Sequence, residues 1–102
     1  MTALLQEKRA QIEDLCRQYG VEELYLFGSA SDGTFVEGKS DHDFVVRFQP
    51  CTPVEHKDRY FGLVFALEDL LQTSVDLVEL DAVENKYLLQ IIEETRIPIY
   101  AA

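Results

Sequence analysis

Asp41 and Asp43 stand two apart in the run Ser40-Asp41-His42-Asp43-Phe44-Val45-Val46. The segment Phe44-Val45-Val46-Arg47-Phe48 has the β-branched and aromatic content of a strand. Residues two apart on a strand share a face. Both carboxylates are therefore predicted to project side by side, with His42, Phe44 and Val46 pointing the other way. Neighbouring carboxylates repel unless a cation sits between them. Their hard oxygen donors suit Mg²⁺, which typically takes one or two carboxylates together with substrate phosphates. Upstream, Leu24-Tyr25-Leu26-Phe27 reads as a buried strand that stops at Gly28-Ser29. A glycine at that corner permits a sharp exit and a close approach to the backbone. Ser29 can cap a helix start, whose free N–H groups suit an anion. Singly, each feature is weak, because Gly-Ser after a strand is usually a turn and Asp-x-Asp in an acidic chain is usually a solvated strand end. In order, with eleven residues between Ser29 and Asp41, they suggest metal-dependent chemistry on a nucleotide.

The elements that must hold these residues are legible from periodicity. Residues 3–19 are predicted to form an amphipathic helix, with Leu4, Leu5, Ile12, Leu15, Cys16 and Tyr19 on its apolar face and Gly20 as its stop. Residues 21–27 and 42–48 read as strands. Between them, 29–33 are expected to make a helical turn and 34–40 a polar loop. Pro50 and Pro53 end the second strand. A long helix is predicted from about Val54 to Leu71, apolar on nearly every side from Tyr60 onward. Such a helix must be buried all round or partly covered by a partner. Residues 75–80 read as a third strand, in which Asp76 interrupts an apolar run. A buried carboxylate needs a partner or a cation, whereas an Asp at a strand edge needs only water. Alternation turns Glu79 away from Asp76 and toward solvent. Residues 83–95 are predicted to form a last helix with Val83, Tyr87, Leu88, Ile91 and Ile92 on one stripe, and Ile97-Pro98-Ile99-Tyr100 a short edge strand. The expected architecture is α/β (α+β): a mixed three- to four-stranded sheet with helices packed against one face.

Composition narrows the functional classes. The chain's 102 residues suit a single domain spanning 1–102. A formal net charge of −10 argues against gripping a nucleic-acid backbone and fits docking onto a basic partner. A nucleotide delivered with Mg²⁺ remains compatible, because the metal supplies positive charge. Cys16 falls on a helix face as a small core residue and Cys51 in a proline-flanked turn, with no zinc-type spacing. His42 and His56 are not assigned to catalysis. No signal peptide or membrane-length apolar run is visible, so the expected compartment is the cytoplasm.

Phe27-Gly28-Ser29, a loop of about a dozen residues and Ser40-Asp41-His42-Asp43-Phe44 together resemble the signature of the DNA polymerase β-type nucleotidyltransferases. The chain is most similar to their minimal nucleotidyltransferase (MNT) branch, often paired with a small helical HEPN protein as a toxin–antitoxin module. The resemblance implies that Gly28 and Ser29 seat the nucleotide, that Asp41 and Asp43 hold one or two Mg²⁺ ions, and that Asp76 is the third carboxylate, holding metal and taking the proton from the attacking hydroxyl. It implies ATP or another NTP as substrate and transfer of AMP to a hydroxyl of a HEPN-type partner. The chain departs from the family at Asp32, where the pattern commonly has arginine. That change weakens the case for triphosphate binding and favours an alternative: a non-catalytic nucleotide-binding or antitoxin subunit that neutralises its partner by binding alone. A homo-oligomer is a further possible assembly. An aminoglycoside-type transferase ranks lower, because no region is left over for a substrate domain.

Overall fold

A computed structural model describes residues 3–28 and 42–102. Among these residues four strands form one sheet in the order β3-β2-β1-β4: β1 is Val21–Phe27, β2 His42–Phe48, β3 Val75–Glu79 and β4 Ile97–Ala101. β1 runs antiparallel to both β2 and β4, whereas β2 and β3 are parallel. The sheet is thus mixed, as the sequence predicts, and Pro98 sits on an edge strand where its missing N–H is tolerated.

The predicted first helix is split at Lys8 into α1 (Ala3–Glu7) and α2 (Arg9–Gln18), and Gly20 at φ +66° ends the second piece in a left-handed turn. The long helix α3 spans Pro53–Leu71. Its start is a capping box: the Thr52 hydroxyl accepts from the Glu55 N–H at 3.2 Å, the Glu55 carboxylate accepts from the Thr52 N–H at 3.4 Å, and Pro53 occupies the first turn. The parallel β2–β3 pair requires a crossover, and α3 supplies it. The last helix α4 is Lys86–Thr95, shorter than the predicted 83–95 because a 3₁₀ turn takes Leu80–Ala82 and Asn85 caps the start. The Asn85 side chain accepts from the N–H groups of Tyr87 and Leu88 at 2.9 and 3.2 Å.

Helices cover both faces of the sheet, not the one face expected. On the first face, Leu24, Leu26, Phe44, Val46, Leu77 and Ile99 meet Leu5, Ile12, Cys16, Leu63, Leu67 and Leu71 from α1, α2 and α3. On the second, Phe27, Val45 and Val78 meet Ile92 and Leu88 of α4. This division follows the two-residue alternation of the strands.

The α3 expectation resolves into halves. Leu63, Leu67 and Leu71 are buried, while Phe61 and Phe65 stack on each other at 6.4 Å and stay 48% and 65% exposed. The predicted stripe on α4 splits in the same way: Ile92 is buried, but Tyr87 and Ile91 face solvent. Among the described residues no helix is long and apolar enough to cross a membrane.

Candidate active site

The candidate site forms where β1, β2, β3 and the end of α4 meet. Asp43 on β2 pairs in register with Asp76 on β3, and with Phe27 on β1. Residues paired across neighbouring strands point to the same face, with strands about 4.8 Å apart. The parity is set by what lies two residues on: Val45 and Val78 both enter the cluster under α4. Asp43 and Asp76 therefore occupy the α4 side of the sheet, next to each other. His42 takes the opposite side, as alternation predicts, where it is 1% exposed and stacks with Phe44 at a centroid distance of 6.4 Å.

Gly28 closes the third side of this corner. Its φ of +74° lies in the left-handed region. A Cβ built there would lie 2.9 Å from Asp43 Oδ2. Both the turn and the carboxylate's position thus depend on the missing side chain. Gly28 also donates its N–H to Thr95 Oγ1 at 3.0 Å, and the Thr95 hydroxyl donates to the Ile91 carbonyl at 2.7 Å. The last turn of α4 is in this way tied to the end of β1. A phosphate taking the Gly28 N–H would have to displace the Thr95 hydroxyl. Thr95 lies 67 residues from Gly28; no local pattern in the sequence singles it out.

Two carboxylates from paired strands make a site of hard oxygen donors. Their mutual repulsion falls when a divalent cation is shared, and Mg²⁺ suits such donors with water and phosphate oxygens completing its shell. Of the residues predicted to act, Gly28, Asp43 and Asp76 are brought together. Asp41, Ser29 and Asp32 lie outside the described residues, as do the helical turn and loop expected at 29–40. Among the described residues no group of three or more metal-binding side chains occurs.

Glu79, expected in solvent, is half-buried and meets His56 on the other side of the sheet. Nearby, Tyr60 donates its hydroxyl to the Leu77 carbonyl at 2.7 Å. Burial raises the Tyr60 phenol above its usual value, and the charges of Glu79 and Asp76 add to the rise. A cavity of about 330 Å³ lies at this end, lined by Val46, Arg47, Phe48, Cys51, His56 and Glu79 among others. It begins three residues along β2 and β3 from the carboxylate pair, roughly 10 Å away. Its charges are already engaged: Arg47 reaches Glu23 at 2.8 Å and Asp81 at 3.0 Å, and His56 holds Glu79.

Comparison with known proteins agrees with the geometry. The family model described as "Nucleotidyltransferase domain" matches residues 8–99. A candidate protein adenylyltransferase of Methanocaldococcus jannaschii is 37% identical over 93 residues, covering 83% of this chain and 91% of that protein. Among solved structures, a toxin–antitoxin with AMP-PNP matches with a TM-score of 0.71 at 26% identity, covering 92% of this chain and 73% of that one. A candidate minimal nucleotidyltransferase also matches with a TM-score of 0.71, at 28% identity, covering 92% of this chain and 91% of that one. With a family model that spans nearly its whole length, the chain belongs to the nucleotidyltransferase domain family and is a nucleotidyltransferase.

Proposed function

We propose that the protein transfers AMP from ATP to a hydroxyl of a HEPN-type partner, acting as the antitoxin of a toxin–antitoxin pair. The observation that carries the proposal is the register of Asp43 with Asp76 beside Gly28. Support also comes from the adenylyltransferase relative and the matched toxin–antitoxin structure with AMP-PNP. Asp43 and Asp76, with Asp41, would hold Mg²⁺, which when bound neutralises phosphate charge and orients the reacting oxygens. Gly28 fixes the corner through which the chain passes to Ser29, placed by the family resemblance at the nucleotide phosphates. The acceptor oxygen forms a bond to the α-phosphorus while the bond to the pyrophosphate oxygen breaks. Asp76, the carboxylate on the edge strand, receives the acceptor's proton. Pyrophosphate departs and AMP remains on the acceptor. Positioning and charge neutralisation carry most of the rate in phosphoryl chemistry, and the same is assumed for nucleotidyl transfer.

Incubation with Mg²⁺, ATP and a HEPN-type acceptor, followed by intact mass, tests this reading. A gain of one or more AMP masses, lost in Asp41→Asn, Asp43→Asn and Asp76→Asn, is expected. A tight complex with no added mass would contradict transfer. That result would support the second reading, a subunit that neutralises by binding alone, which Asp32 in place of the family's usual arginine favours.

A further inference from the structure

Among the described residues, Phe61 with Phe65 and Tyr87 with Ile91 form exposed apolar patches on opposite sides of the sheet. Phe61 and Phe65 belong to α3, which covers the face away from Asp43 and Asp76. Tyr87 and Ile91 belong to α4, which covers the carboxylate face, and are 75% and 46% exposed. Tyr87, Ile91 and Thr95 are successive i, i+4 positions and so form one stripe along the helix. The stripe ends at Gly28, because Thr95 accepts the Gly28 N–H. By helical rise, Ile91 lies about 6 Å from Thr95 and Tyr87 about 12 Å. A patch of standard interface size reaches from the stripe to the carboxylates.

The surroundings define what fits. Glu94, three residues from Ile91 and so beside it on the helix surface, is exposed, as is Glu84 just before the helix start. Among the described residues of α4 and its ends, the cations are Lys86 and Arg96, and Arg96 is already engaged over the Tyr25 ring at 5.0 Å. A second copy would bring the same acids and the same net charge of −10. Anionic membranes and nucleic acids are repelled for the same reason. A protein with an apolar centre and basic flanks is complementary. We propose that the Tyr87–Ile91–Thr95 stripe docks the protein acceptor, whose contact surface is apolar and basic-rimmed, and so delivers its hydroxyl to the Asp43–Asp76 corner. The proposal rests on the adenylyl-transfer reading and adds the surface that makes the transfer productive. The Phe61–Phe65 patch, behind the sheet, cannot present an acceptor to these carboxylates.

The probe is a synthetic amphipathic peptide of about 18 residues, a leucine stripe flanked by arginines with one tyrosine. NMR titration of the wild-type protein is expected to shift the amides of Tyr87, Ile91 and Thr95, with affinity falling as salt rises. Tyr87→Glu and Ile91→Glu, each checked for an unchanged thermal melt, should weaken binding about tenfold, whereas Phe61→Ser with Phe65→Ser should not. With Mg²⁺ and ATP, AMP should appear on the peptide tyrosine and fall in the same two variants. Absence of binding, shifts centred on Phe61 and Phe65, or unchanged affinity in Ile91→Glu overturns the proposal. Binding at the stripe without AMP transfer, to the peptide or to a HEPN-type acceptor, upholds the docking surface and refutes the transfer reading instead.

Discussion

At the scale of the residue, Gly28 is the position where one atom has the largest consequence. Gly28→Ala adds a Cβ at 2.9 Å from Asp43 Oδ2 and places a non-glycine residue at φ +74°. The backbone term alone is of order 1–3 kcal/mol, and the carboxylate must also move. We expect chemical denaturation to show that loss of stability and nucleotide transfer to fall by a larger factor than stability explains. The cysteines make a second residue-scale prediction. Cys16 is fully buried, and burial pushes its thiol up to about 12, with the Glu13 charge adding to the rise. Cys51 is half-exposed. A thiol reagent at pH 8 should modify Cys51 in the folded protein and Cys16 only on unfolding, read as one adduct rising to two by mass. The carboxylates were legible in the sequence because strand alternation places Asp43 opposite His42. Thr95 was not, because its partner is distant along the chain and nothing local marks its hydroxyl.

The elements show where local rules suffice and where they stop. The strands 21–27 and 42–48 match their predicted bounds, and α3, predicted from about Val54, starts at Pro53 behind the Thr52–Glu55 capping box. Thr52→Ala removes a cap whose loss costs about 1 kcal/mol. Hydrogen bonding to Thr52 holds the Glu55 carboxyl below the usual 4.5. A lowered carboxyl contributes stability above its unfolded value and loses it as pH falls through its folded value. The gap between wild type and Thr52→Ala in denaturant melts should therefore be full near neutral pH and shrink only below about pH 4.5. In the sheet, Phe44 is fully buried on a central strand, and Phe44→Ala should destabilise by about 3–5 kcal/mol, measured by the same melts. Periodicity overestimated the apolar faces of α3 and α4. Their patterns count side chains that can be buried, and the number of covering elements then left Phe61, Phe65, Tyr87 and Ile91 outside. It also could not assign α4 to the second face of the sheet, a choice made by long-range packing of Ile92 against Phe27 and Val45.

For the molecule as a whole, the decisive fact is pairing between segments far apart in sequence. Asp43 and Asp76 become neighbours only because α3 carries the chain back to lay β3 parallel to β2. The sequence supplied the three strands and the acids on them; family resemblance, rather than periodicity, supplied their convergence. The excess of acids acts over the same scale, so raising ionic strength should ease repulsion around the carboxylate pair and weaken attachment of a basic partner.

The proposed transfer would need a divalent cation bound with nucleotide at the Asp43–Asp76 corner, and paramagnetic NMR tests that binding without needing an acceptor. Mn²⁺ added with a non-hydrolysable ATP analogue should broaden the amides of Gly28, Asp43 and Asp76 before others, and Asp43→Asn or Asp76→Asn should abolish that selectivity. Broadening centred elsewhere, or unchanged in both variants, would contradict the site and the transfer built on it.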